Sequence, residues 1–134
     1  MRAGNVKNNV FCSPFRYTQG PGVTRDLGKE MTGLGLSGPV LVIASNTPAR
    51  VLGETWDSTF KAASLEHQVE VFGGECSRVE IDRLAKVAGD LGAATILGAG
   101  GGKVIDTARA VANACTLAQH IACVAHAGEE GTNQ

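Results

Sequence analysis

The sequence predicts an α/β fold in which a parallel sheet is flanked by helices, and three observations carry that prediction. Two continuous apolar runs, "PVLVIAS" (Pro39–Ser45) and "ATILGA" (Ala94–Ala99), read as strands buried on both faces, as the strands of a parallel sheet are. Around them, apolar residues recur at helical spacing rather than alternating. Composition agrees, since 18 glycines and 4% aromatic residues suit close helix-on-sheet packing better than a sandwich or an α-bundle.

The elements follow in order. Residues 1–14 show no period and are expected to be loose. "RYTQGPG" (Arg16–Gly22) is a short strand candidate that stops at a Gly-Pro-Gly turn signal. Thr24 is placed to cap a helix carrying Leu27, Met31 and Leu34 on one face. After the strand at Pro39–Ser45, Thr47 and Pro48 read as N-cap and first helical residue, because the fixed φ of proline suits that position. That helix sets Leu52, Trp56, Phe60 and Ala63 at helical spacing. "HQVEVFGGECS" (His67–Ser77) alternates and then turns at Gly73-Gly74. Ser77 and Glu80 form S-x-x-E, a capping box in which each side chain satisfies the other's orphan N–H. The helix it opens places Ile81, Leu84, Ala88 and Leu91 inward. Beyond Ala94–Ala99, a helix turns Val104, Ala108 and Val111 inward, and "HIACVA" (His120–Ala125) is a last strand candidate. Alternation of this kind calls for right-handed crossovers and a Rossmann-like sheet over residues 15–124, with no repeat or linker inside it.

Charge and cysteine usage exclude several classes. Formal net charge is −1 with 19% charged residues, so no nucleic-acid partner is expected. Cys12, Cys76, Cys115 and Cys123 have neither a C-x-x-C pair nor finger-like spacing, and are expected to be reduced thiols of a cytoplasmic protein. The N-terminus lacks the apolar stretch of a secretion signal, and no run approaches the roughly 18 apolar residues of a membrane span.

The chemistry concentrates in "GAGGGKVIDTARAVANA", where four of the five positions 98–102 are glycine. The Walker pattern G-x-x-x-x-G-K-[ST] fails, with Leu97 at its first glycine and Val104 after Lys103. In G-x-G-x-x-G, Gly98 and Gly100 fit, but Lys103 takes the third glycine. What is left is G-G-G-K-x-x-D at a strand-to-helix junction. Backbone N–H groups at a helix N-terminus, with no Cβ to hold a ligand away, make an anion site. The other reading is a tight turn whose glycines relieve packing. Asp106 could equally serve the macrodipole in the first helical turn, and Lys103 could be an ordinary solvated lysine.

"FGGECSRVEIDRLA" (Phe72–Ala85) together with "ILGAGGGKVIDTARAVANA" (Ile96–Ala114) resembles the glycerol dehydrogenase group of the iron-containing alcohol dehydrogenase superfamily, with "RYTQGPG" and "LVIAS" falling at that family's first strands. The resemblance covers roughly Pro14 to Val124. It implies NAD-dependent oxidation of glycerol to dihydroxyacetone, with an N-terminal α/β domain holding the dinucleotide. It also implies a helical C-terminal domain that binds zinc or iron through an aspartate and two histidines. Residue by residue, Gly100, Gly101, Gly102 and Lys103 inherit the pyrophosphate loop, and Asp106 inherits the aspartate on the nicotinamide side.

Two departures stand out. The family usually ends its second strand with an acid that binds the adenosine ribose hydroxyls, and here Ser45-Asn46 stands there. Ser45 is therefore expected at the cofactor, and losing the carboxylate removes a repulsion against a 2′-phosphate, so NADP is not excluded. These residues are expected to carry no counterpart of the metal domain, and His67, His120 and His126 do not match the family's ligands. They are expected to be solvated or strand-edge histidines, and a Cys115, Cys123, His126 metal cluster lacks short-range spacing. No catalytic and no metal-binding residue is assigned. The tail "AHAGEEGTNQ" (Ala125–Gln134) leaves the family pattern. Read one base later from Val124, its codons can spell Pro-Thr-Leu-Ala, two basic residues, then Ala-Pro-Thr, which suggests a frame slip. The chain is thus expected to be a truncated cofactor half that does not turn over by itself, prone to self-association through an unpaired sheet edge. A non-catalytic dinucleotide-binding module and a remnant without a ligand are the competing readings.

Overall fold

A computed structural model describes residues 22–115 with their side chains and the backbone of 121–124. The loose N-terminus at 1–14, nearly all of the Arg16–Gly22 strand candidate, Cys12, His120, His126 and the tail at 125–134 lie outside the described residues, as does the side chain of Cys123.

Four strands, β1 (Val40–Ala44), β2 (His67–Val71), β3 (Thr95–Ala99) and β4 (Ile121–Val124), form one sheet in the order β2-β1-β3-β4, with every neighbouring pair parallel. A short 3-10 helix at Val23–Asp26 leads into α1 (Leu27–Gly33). Helices α2 (Asn46–Ala62), α3 (Arg78–Leu91) and α4 (Gly102–Ala114) follow β1, β2 and β3. Among the described residues no helix is long and apolar enough to cross a membrane.

The apolar run of β1 is continuous because both of its faces are covered. Val40, Val42 and Ala44 pack with Met31, Trp56 and Phe60 of α1 and α2. Leu41 and Ile43 point the other way, into a cluster with Leu84 of α3 and Val104 and Val111 of α4. All five β1 residues are buried, as are all five of β3. Burying a side chain of this size contributes about 1.5–3 kcal/mol, so these two layers carry most of the stability. β2 has only β1 beside it among the described residues, and its alternating sequence matches its half-buried pattern. His67 on this strand is the edge histidine the sequence suggests. Its Nε2 lies 3.1 Å from Asp57 Oδ1, and its ring centroid is 4.9 Å from that of Phe60.

Helix starts are where local signals misplace the structure. The N-cap of α2 is Ser45, not Thr47, so Pro48 sits in the third helical position. Proline is tolerated there because the first-turn N–H groups have no partner within the helix. The shift has a tertiary cause, since the Ser45 N–H donates to the Ala99 carbonyl at 3.1 Å and ties the end of β1 to the end of β3. Thr24 lies inside the 3-10 helix rather than capping α1. Gly28, with no side chain, lets α1 close on α2, and its N–H donates to Thr59 Oγ1 at 2.9 Å.

The capping box forms by half. Ser77 Oγ accepts from the Glu80 N–H at 3.2 Å, as expected. The Glu80 carboxylate does not return to the Ser77 N–H but accepts from Gly73 N–H at 2.7 Å, and Ser77 N–H donates to the Glu75 carbonyl instead.

Candidate functional site

The strand order places a topological switch between β1 and β3. From β1 the chain crosses to β2 on one side, then α3 carries it back past β1 to β3 on the other. Open α/β sheets bind ligands at the carboxyl ends of the strands flanking such a point. At those ends a cleft of about 360 Å³ is lined by Ser45 and Asn46 after β1, Phe72 and Gly74 after β2, and Gly101 to Val104 after β3.

The glycines between β3 and α4 do different work. Gly100 has φ +146, a conformation L side chains rarely adopt, and a Cβ there would lie 2.7 Å from Ser45 Oγ and 3.0 Å from Val104 Cγ2. It makes the turn. Gly98 gives close packing, because its Cβ would come within 2.9 Å of Ala108 Cβ. Neither reason applies to Gly101 and Gly102, where an added Cβ would meet nothing within 4 Å and φ is not positive. Both are exposed at the cleft. Packing explains the first two glycines and leaves the second two as bare backbone facing open space.

That backbone is rich in free donors. Gly101, the N-cap of α4, offers no side-chain cap, and the N–H groups of Val104 and Ile105 both donate to its carbonyl. The amides of Gly101, Gly102 and Lys103 have no protein partner among the described residues. Ser45 caps α2 by backbone alone, with no side-chain cap bond. Two helix N-termini, each carrying the positive end of a macrodipole, therefore meet at one cleft with a lysine at its mouth. No carboxylate is among the cleft-lining residues.

Lys103 Nζ reaches across to Glu75 Oε2 at 3.1 Å. Glu75 sits in the turn after β2, a cleft wall that glycine-loop reasoning from sequence did not connect with Lys103. The signal was present in "FGGECS", whose two glycines lie next to an acid. Asp106 stands in the second turn of α4 rather than the first, which removes the macrodipole explanation for it. It is exposed and does not line the cleft, and its carboxylate has no hydrogen-bond or ion-pair partner among the described residues.

The other titratable candidates stay apart from the cleft. The Cys115 Sγ donates to the Ala85 carbonyl at 3.8 Å, and burial pushes its pKa above the ordinary 9.0. Cys76 is free and exposed. Among the described residues no three His, Cys, Asp or Glu side chains come together to hold a metal ion.

Comparisons with known proteins bear on the family and the fold. The family described as iron-containing alcohol dehydrogenase matches residues 14–133. A glycolaldehyde reductase of Halobacterium salinarum is 41% identical over 103 residues, covering 77% of this chain and 28% of that protein. A glycerol dehydrogenase of Escherichia coli is 38% identical over 106 residues, covering 79% of this chain and 28% of that protein. The crystal structure of glycerol dehydrogenase from Schizosaccharomyces pombe superposes with a TM-score of 0.69 at 27% identity, over 81% of this chain and 27% of that one. The chain thus spans a little over a quarter of the length of the relatives it matches. On a family match that runs over most of its residues, the chain belongs to the iron-containing alcohol dehydrogenase family.

Proposed function

We propose that these residues bind the dinucleotide of a polyol dehydrogenase, and that the diphosphate rests on the amides of Gly101, Gly102 and Lys103. The observation that carries this reading is the pair of glycines whose absent Cβ atoms nothing in the protein would touch. A ligand oxygen needs that space to reach a backbone N–H, and a diphosphate needs several donors at once. The cofactor fits the residues present. Lys103 answers its charge, the N-termini of α2 and α4 add their partial positive charges, and Ser45 lies beside Gly100 where the adenosine ribose would pass. Asp106, one further turn along α4, is assigned to the nicotinamide side. When bound, the nicotinamide accepts the hydride that leaves the substrate carbon.

NAD is the expected cofactor, and NADP is accepted as well because Ser45 and Asn46 stand at the end of β1 with no carboxylate to repel a 2′-phosphate. The proposed substrate is glycerol, oxidised at its secondary hydroxyl to dihydroxyacetone, in a cytoplasm that keeps Cys76 and Cys115 reduced. The described residues bring no metal ligands together, so the zinc or iron of the proposed reaction is not held by them. They supply cofactor binding, and the 134-residue chain on its own is expected not to oxidise glycerol.

Titrating the chain with NAD and NADP by calorimetry tests the reading, alongside a glycerol oxidation assay with added zinc. Micromolar to millimolar dinucleotide binding without turnover is the expected pair of results. Absence of any dinucleotide binding by a folded chain refutes it, and glycerol turnover refutes the division of labour.

A further inference from the structure

The geometry points to Glu75 as an affinity-setting residue of the glycine-loop cleft, a counter-ion that an incoming phosphate must displace from Lys103. The inference rests on the cofactor reading above and adds a residue outside the loop to it. The carboxylate of Glu75 lies 3.1 Å from Lys103 Nζ, the group that a ligand oxygen would also seek. Both side chains are largely exposed, at 76% and 64%, so solvent and a competing anion have ready access to the pair.

The position of Glu75 is built rather than incidental. At the base of its turn, Glu80 accepts the Gly73 N–H at 2.7 Å. Arg83 forks onto Glu80, with Nε to Oε1 at 2.9 Å and Nη2 to Oε2 at 2.7 Å. The same guanidinium reaches the Val71 carbonyl at 3.1 Å and Glu70 Oε1 at 3.2 Å, fastening the turn to the end of β2. Gly74 then takes φ +112, and the Glu75 carbonyl is held by the Ser77 N–H at 3.0 Å. The main chain is fixed on both sides of Glu75, leaving the side chain to span to α4.

A diphosphate outcompetes one carboxylate because it carries more charge and also takes the free amides of Gly101 to Lys103. It nevertheless binds more weakly by the worth of the ion pair it breaks. For an exposed Lys–Glu pair, that worth corresponds to a factor of about 1.4 to 5 in affinity.

The experiment measures inorganic pyrophosphate and NAD binding to the full 134-residue chain by calorimetry at low salt. The variants are Glu75→Gln, Lys103→Gln and the double variant. Glu75→Gln is expected to bind both probes about 1.4- to 5-fold more tightly, with a melting temperature that holds or falls by a few degrees. That gain should vanish in the Lys103→Gln background, since a residue acting through Lys103 couples to it and a merely structural one does not. Wild type that binds while Glu75→Gln binds equally or more weakly overturns the inference and leaves the cofactor reading standing. A gain that survives in the Lys103→Gln background also overturns it, because the effect would then be long-range charge. Failure of wild type and Glu75→Gln alike to bind either probe overturns the cofactor reading, and the inference falls with it.

Discussion

Replacing Gly102 by alanine separates close ligand approach from turn-making. Gly102 is the first residue of α4, its φ is not positive, and an added methyl would meet no heavy atom within 4 Å. The fold should accept the change. Alanine is favoured over glycine in a helix by up to about 1 kcal/mol, so the melting temperature should hold or rise by a few degrees. A diphosphate lying on the loop amides would be pushed off by that methyl. Losing one charge-assisted N–H···O contact costs about 1.5–3 kcal/mol, or about 10- to 150-fold in affinity. Calorimetric NAD titration beside a thermal melt reads both quantities on one sample. Gly100→Ala should behave in the opposite way. At φ +146, with Ser45 Oγ 2.7 Å from the new Cβ, it should lose about 1–3 kcal/mol of stability. A Gly102→Ala chain that binds NAD as tightly as wild type would refute the argument that these amides hold the diphosphate.

Ser45→Asp should raise the NAD to NADP affinity ratio about tenfold by placing a carboxylate at the N-cap of α2, while wild type discriminates little; a wild-type chain that strongly prefers NAD in the same titrations contradicts this. Glu80 is held below its ordinary pKa of 4.5 mainly by its hydrogen bonds from Arg83, against the cost of burial and with help from the Gly73 N–H. A depressed carboxylate adds stability that is full above pH 4.5 and is lost as pH falls through its folded value. Glu80→Gln should therefore be less stable at neutral pH and show a flatter loss below pH 4.5 in denaturant melts; an acid limb identical to wild type would disprove it. Self-association should grow with concentration in light scattering, because β2 presents an unpaired edge among the described residues, and a monomer throughout would count against that.

Where the sequence was legible, the physical reason is local or nearly so. Pro39–Ser45 and Ala94–Ala99 could be read because burial on two faces forces an unbroken apolar run, and β1 and β3 fall inside them. Leu52, Trp56 and Phe60 could be read because one helix face repeats every three or four residues, and all three are buried. Ser77 could be read because its hydroxyl reaches an N–H only three residues away. The start of α2 could not, since the Ser45 N–H is taken by a carbonyl on another strand. The diversion of Glu80 to Gly73 was hidden for the same reason, depending on how the turn after β2 folds back over α3.

The candidate site divides along that line. The run of glycines ahead of Lys103 marks a place where backbone is left bare, and sequence alone determined that much, because residue type fixes which positions lack a Cβ. Whether a missing Cβ serves a turn, a packed helix or a ligand depends on what stands opposite it. Only the tertiary structure decided that Gly100 faces Ser45, Gly98 faces Ala108, and Gly101 and Gly102 face nothing. It also decided, through a strand order that no local pattern encodes, that α2, α4 and the turn bearing Glu75 converge on one cleft.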